Sequence, residues 1–78
     1  MKTAHYFEST RLREDLAGIL TEWISRVVDR PAHQAVQEDG RIRRWTAIEE
    51  AGGRFLRVVL LPDGETVHNA FFDRRFTP

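Results

Sequence analysis

The stretch RVVLLPDGETVHN, Arg57 to Asn69, decides how this chain folds. Two apolar, β-branched runs flank Asp63-Gly64, and Asp-Gly between extended runs is among the strongest short-range hairpin signals. The expected connection is a two-residue type I′ turn, whose central residues both take positive φ. In that register Leu60 faces Val67, Val58 faces Asn69 and Leu56 faces Phe71, a mostly apolar side that suits a core. The other side sets Val59 across from His68, Arg57 across from Ala70 and Phe55 across from Phe72. Arg57 and His68 become diagonal neighbours there, within reach of each other for long side chains.

Upstream, AVQEDGRIRRW (residues 35–45) places Asp39-Gly40 between two extended runs, and EEAGGR (residues 49–54) supplies a Gly-Gly connection. Four consecutive strands are expected at about 33–38, 41–48, 54–61 and 65–72. The register of the second strand has two alternatives, because a one-residue slip turns every side chain over. In one, Trp45 faces Arg57 and makes a cation–π pair on the uncovered face. In the other, Trp45 enters the core and Arg44 joins Arg57 outside.

Before the strands, Leu12, Leu16, Ile19, Leu20, Trp23, Ile24, Val27 and Val28 recur three and four apart, one face of a helix. The helical region runs from about Ser9 to Asp29, with Ser9 or Thr10 as its cap and Pro31 closing it. Gly18 interrupts it and Thr21 offers a second cap, so two short helices meeting at Gly18 are favoured over one rod. The expected fold is α+β: one or two helices packed on a four-stranded antiparallel meander, a single domain over residues 1–78.

Composition sets limits on function. The 78 residues include no cysteine, which excludes disulfides and thiolate sites and suits a reducing cytoplasm. The first residues lack the apolar run of a signal peptide and no segment is long enough to span a membrane, so a soluble protein is expected. The net charge is zero, yet residues 41–57 carry five arginines against two glutamates, a local excess of +3. A solvated sheet face accommodates such residues without any function. Arginine forks also bind phosphate bidentately, so a sheet-borne anion site is the functional alternative.

Arginines beside a histidine on an uncovered sheet suit metal-independent phosphodiester cleavage. A ribose 2′-hydroxyl attacking the adjacent phosphate needs a base, a proton donor for the leaving oxygen, and cations on the phosphoryl oxygens. His68 fits the acid or base, since imidazole titrates near neutrality. Arg57 with Arg44 or Arg43 fits the phosphate, with Trp45 on the same substrate-binding surface. The second proton-transfer group could be His5, Tyr6, Glu8 or Asp73. His5, His33 and His68 are too scattered for a metal pair, so no metal or cofactor is expected.

Three strings carry a resemblance: HYFESTRLRED (residues 5–15), EWISRVVDRP (residues 22–31) and RFLRVVLLPDGETVHNAFFDRRF (residues 54–76). Together they make nearly the whole chain similar to small proteins related to the BrnT toxins, of the RelE/ParE-like, barnase-like fold. That resemblance implies a ribonuclease toxin of a bacterial toxin–antitoxin pair, silenced by a small antitoxin-like partner. By position, His5 and Arg11 match the N-terminal basic pair and Arg57 the arginine of the core hairpin. A different reading of the same fold is a non-catalytic interaction module, a homodimer or hetero-complex using a sheet edge.

Overall fold

The computed structural model describes residues 2–3 and 19–78. In chain order the elements are β1 (Lys2–Thr3), α1 (Thr21–Asp29), β2 (His33–Val36), β3 (Ile42–Ile48), β4 (Arg54–Leu60) and β5 (Thr66–Phe72). A 3₁₀ turn, Glu49–Ala51, joins β3 to β4. Strands β2 to β5 form an antiparallel meander, and β1 adds to it in parallel beside β5, giving the order β1-β5-β4-β3-β2. The α+β arrangement read from the sequence is the one observed, with each long strand within two residues of its expected ends. The helical residues expected before Ile19, with the Ser9 or Thr10 cap, lie outside the described residues.

Helix α1 exists because Ile24 and Val27 put methyl groups on one stripe that the sheet can bury; both are fully inaccessible, with Trp23 and Val28 packed beside them. Thr21 is the first helical residue and not the cap. Leu20 is extended, and its carbonyl accepts from the N–H groups of Trp23 and Ile24 at 3.0 and 3.3 Å. An extended Leu20 also rules out one helix running on from the preceding residues. At the other end Pro31 forces Arg30 out of the helical region, and Arg30 N–H still bonds the Arg26 carbonyl at 2.8 Å.

Carbonyls left over at a helix C-terminus need donors. Strand β3 supplies them: Arg44 Nη1 donates to Val28 O at 2.8 Å and Thr46 Oγ1 to Arg30 O at 3.2 Å. Arg26 then makes a two-pronged bridge to Glu50 in the 3₁₀ turn, at 2.8 and 3.1 Å. These ties fix α1 over the β3–β4 half of the sheet. Beneath it, Ile48, Leu56, Val58, Leu60, Val67 and Ala70 complete the core with Ile19, Ile24 and Val27. Each fully buried aliphatic side chain of this kind contributes about 1.5–3 kcal/mol by leaving water.

Both Asp-Gly sequences turn the chain, but not as type I′ turns, because among the described residues only glycines have positive φ. Gly40 at φ +89° follows a turn closed by its N–H to Gln37 O, and Gln37 N–H then bonds Arg41 O. The later loop is wider: Gly64 N–H bonds Leu61 O, and Leu61 N–H bonds Thr66 O, both at 2.9 Å. Asp63 holds it together, its Oδ1 accepting from the N–H groups of Glu65 and Thr66 and its Oδ2 from the Thr66 hydroxyl. The aspartates thus act through their side chains, as Asx turns, and leave positive φ to glycine.

The register of the last hairpin differs from the expected one. Leu60 does face Val67, but Val59 faces Asn69, so His68 is the extra residue of a β-bulge. Beyond it Val58 pairs with Ala70, Arg57 with Phe71 and Leu56 with Phe72. The bulge moves Ala70 and Phe72 to the helix side and Asn69 and Phe71 to the other. Packing explains the choice, since Ala70 fits under α1 with 1% exposure while the larger Phe71 ring lies against Arg57.

Candidate functional site

The sheet face opposite α1 is built from residues that alternate with the core along each strand. One cross-strand row runs Phe71, Arg57, Trp45, His33, and the next runs Asn69, Val59, Arg43, Ala35. Trp45 therefore faces Arg57, the first of the two registers expected. The cation–π partner is a different ring, however: the Arg57 guanidinium lies over Phe71 at 4.3 Å. Trp45 instead stacks on Phe76, with centroids 4.5 Å apart and planes 16° from parallel.

That stack reveals a layer the sequence reading missed. The chain turns back after β5 and lays Phe76 over the sheet. Its ring also meets His33 at 5.2 Å and Phe55 at 5.0 Å, and Trp45 is left only 6% exposed. Asp73 anchors the return. Its N–H bonds Phe55 O, its Oδ1 accepts from Arg75 N–H, and its Oδ2 accepts from Trp45 Nε1 at 3.1 Å. So this face is half covered, by aromatic rings at one end and by arginines at the other.

The electrostatics of the arginine end follow from crowding. Arg57 Nη1 lies 3.6 Å from Asp73 Oδ2, and Arg57 Nε is buried with no acceptor among the described residues. Burial pulls the Arg57 guanidinium below its ordinary value, the Arg43 charge pulls the same way, and Asp73 opposes both. It remains protonated in any ordinary buffer. Burial pushes the Asp73 carboxyl up, but the bonds from Trp45 and Arg75, the Arg57 charge and the Phe76 N–H outweigh it and hold the group below its usual value. A carboxylate so well solvated by donors is a weak base, which suits a counterion better than a proton acceptor. Arg43 is engaged on its outer side, where the Gln37 amide, turned with its oxygen toward it, accepts at 2.6 and 2.7 Å.

The residues nominated from sequence divide into three groups. Arg57, Arg43 and Trp45 share the face opposite α1. Arg44 does not: it points to the helix side, donating to Val28 O and, through Nε, to Gln34 Oε1 at 2.7 Å. Of the two arginines expected to join Arg57, Arg43 shares its face and Arg44 does not, because the alternation of β3 separates neighbours onto opposite faces. His68 is the half-buried bulge residue, no longer diagonal to Arg57, which faces Phe71 instead of Ala70. His5 and Arg11 lie outside the described residues.

Phe76 and His33 are parts of this face that sequence reading left without a place, whereas Phe55 was expected on it and Asp73 was one of the candidate proton-transfer groups. The one legible hint for Phe76 was an isolated aromatic beyond the last strand, a residue that gains by finding cover. Among the described residues no group of His, Asp or Glu is arranged to hold a metal ion, and no helix is long and apolar enough to cross a membrane. Comparison of the chain with protein-family models, curated proteins and solved structures gives no match.

Proposed function

We propose that the face opposite α1 binds the phosphates of RNA and that the protein is a metal-independent ribonuclease of the toxin kind its sequence resembles. The observation that carries the reading is the pairing of two guanidiniums, Arg57 and Arg43, on adjacent strands with Arg57 Nε lacking an acceptor. Two like charges side by side repel unless an anion comes between them, and a phosphate offers oxygens to both forks. Asp73 neutralises one of the two, so the face retains a net positive charge.

Cleavage adds a demand that binding does not. His68 is the residue we assign to proton transfer, placed on the bulge next to Asn69, where strand distortion re-aims side chains. His5 with Arg11 supplies the second proton-transfer and phosphate-holding pair in this proposal. A small antitoxin-like protein is the proposed partner, in a cytoplasmic setting.

Binding and chemistry are separable by experiment. Purified protein is titrated into fluorescent single-stranded RNA at two salt concentrations, and the same RNA is followed for cleavage. Arg57→Ala and Arg43→Ala should weaken binding and reduce its salt dependence by about one charge each. His68→Ala should bind as the wild type does and not cut. RNA left both unbound and uncut by the wild type, free or on ribosomes, ends the proposal.

One observation favours a second reading. All four residues of β2 are exposed, Val36 to 65%, and β2 is an edge of the sheet. An uncovered edge accepts a strand from another chain. On this reading the protein is a non-catalytic interaction module, and its expression is harmless while it forms a stable complex or dimer.

A further inference from the structure

Phe76 occupies a slot with three aromatic walls. Trp45 forms its floor in a near-parallel stack, while His33 and Phe55 meet the ring at steep angles of 57° and 63°. A flat ring lying on an indole and flanked by ring edges is how proteins hold a nucleobase of single-stranded RNA. The floor residue is directly across the strands from Arg57, and Arg43, two residues from Trp45 along β3, is diagonal to Arg57. A base lying on Trp45 thus has guanidiniums beside it, where the adjoining phosphates of its strand run.

The present occupant is held lightly. Strand β5 ends at Phe72, and the following segment pairs with the sheet through Asp73 N–H to Phe55 O. Arg75 and Phe76 donate their backbone N–H groups to the Asp73 side chain, within the segment itself. Arg74, Arg75, Thr77 and Pro78 are all exposed. Lifting Phe76 therefore costs ring contacts and none of the ladder of β3, β4 and β5, and Trp45 Nε1 can keep its bond to Asp73.

We infer that Trp45, walled by His33 and Phe55, is a nucleobase-stacking subsite, and that Phe76 is an internal competitor that a base of single-stranded RNA must displace. This rests on the RNA reading above and adds a subsite and a built-in restraint to it. A protein whose competent state is only partly populated binds more weakly by that fraction, so removing the competitor strengthens binding.

The chain has two tryptophans, so Trp23→Phe makes Trp45 the sole indole reporter. In that background a short oligoadenylate and an abasic oligonucleotide of equal charge are titrated against the parent, Phe76→Ala and Phe76→Leu. The oligoadenylate should quench Trp45, and Phe76→Ala should bind it about tenfold more tightly, with a smaller gain for Phe76→Leu. The abasic strand should neither quench nor gain. Folding is checked by circular dichroism, and if Phe76→Ala fails to fold, the Phe76→Leu result decides. Binding that depends on Arg57 but does not quench Trp45 or respond to position 76 overturns the stacking subsite and leaves the phosphate reading intact. Binding indifferent to both Arg57 and Arg43 removes the phosphate reading, and this inference with it.

Discussion

Trp45 donates its indole N–H to Asp73 Oδ2 at 3.1 Å, and that same oxygen is the one facing the Arg57 guanidinium. One carboxylate thus serves an aromatic residue from β3 and a cation from β4 through Oδ2, and through Oδ1 the segment that follows β5. Asp73→Ala should cost about 1.5–3 kcal/mol, the range for losing a hydrogen bond to a charged group. Asp73→Asn keeps an acceptor and should cost less. Urea unfolding followed by tryptophan emission measures both, and equal losses in the two variants would show that the charge matters more than the bond.

Acid should weaken the protein through its carboxylates. The Arg26 fork holds Glu50 down at about 2 in the folded chain, from an ordinary 4.5, and Asp73 is lowered as well. A folded value below the unfolded one stabilises above the unfolded value and is lost as pH falls through the folded one. The urea midpoint should therefore hold steady down to about pH 4.5 and decline toward about pH 2. Glu50→Gln should flatten part of that decline. Since Arg26 and Glu50 are both exposed, added salt should shrink the Glu50 share.

Neighbouring arginines should behave differently. Arg44→Met removes the donors that close the end of α1 and is expected to destabilise the fold by about 1.5–3 kcal/mol while leaving RNA affinity alone. Arg43→Met should do the reverse. Measuring unfolding and RNA anisotropy on both variants tests whether the two faces are as distinct as their partners indicate.

The bulge makes an unusual deletion tolerable. Removing His68 leaves Leu60 across from Val67 and Val59 across from Asn69, a regular ladder with Ala70 still under α1. The shortened chain should unfold cooperatively and lose no more than about 3 kcal/mol, whereas deleting Thr46 from β3, which has no surplus residue, turns the residues on one side of it over and should abolish folding. Thermal melts of the two deletions settle whether His68 is the surplus residue.

Core and edge positions of like chemistry should part company. Leu56→Ala, at a site with no exposure, is expected to cost about 2–5 kcal/mol. Val36→Ala, on the exposed edge, should change stability by no more than about 0.5 kcal/mol.

Much of the fold was legible because it is written locally. Asp39-Gly40, Gly52-Gly53 and Asp63-Gly64 bracket the strands, and Ile24, Val27 and Val28 show the stripe of α1. The type of each turn was not legible, since aspartate can serve a turn through its side chain as well as through positive φ. Nor was the register of β5: VHNAFF has no clean alternation, and choosing between Ala70 and Phe71 for the core takes the shape of the space under α1. The candidate site suffered most. A one-residue bulge changed the partners of Arg57, and the covering of Trp45 depends on Phe76, whose place is set by contacts remote in sequence.

Lys2 and Thr3 run alongside Thr66 and Val67, so one border of the sheet is taken at those positions while β2 forms the other. The unpaired amides and carbonyls of His33–Val36 can be satisfied by a single incoming strand. That border offers one seat per copy of the protein. A second copy and a foreign chain would compete for it, and the tendency of the protein to pair with itself sets the affinity any visitor must exceed.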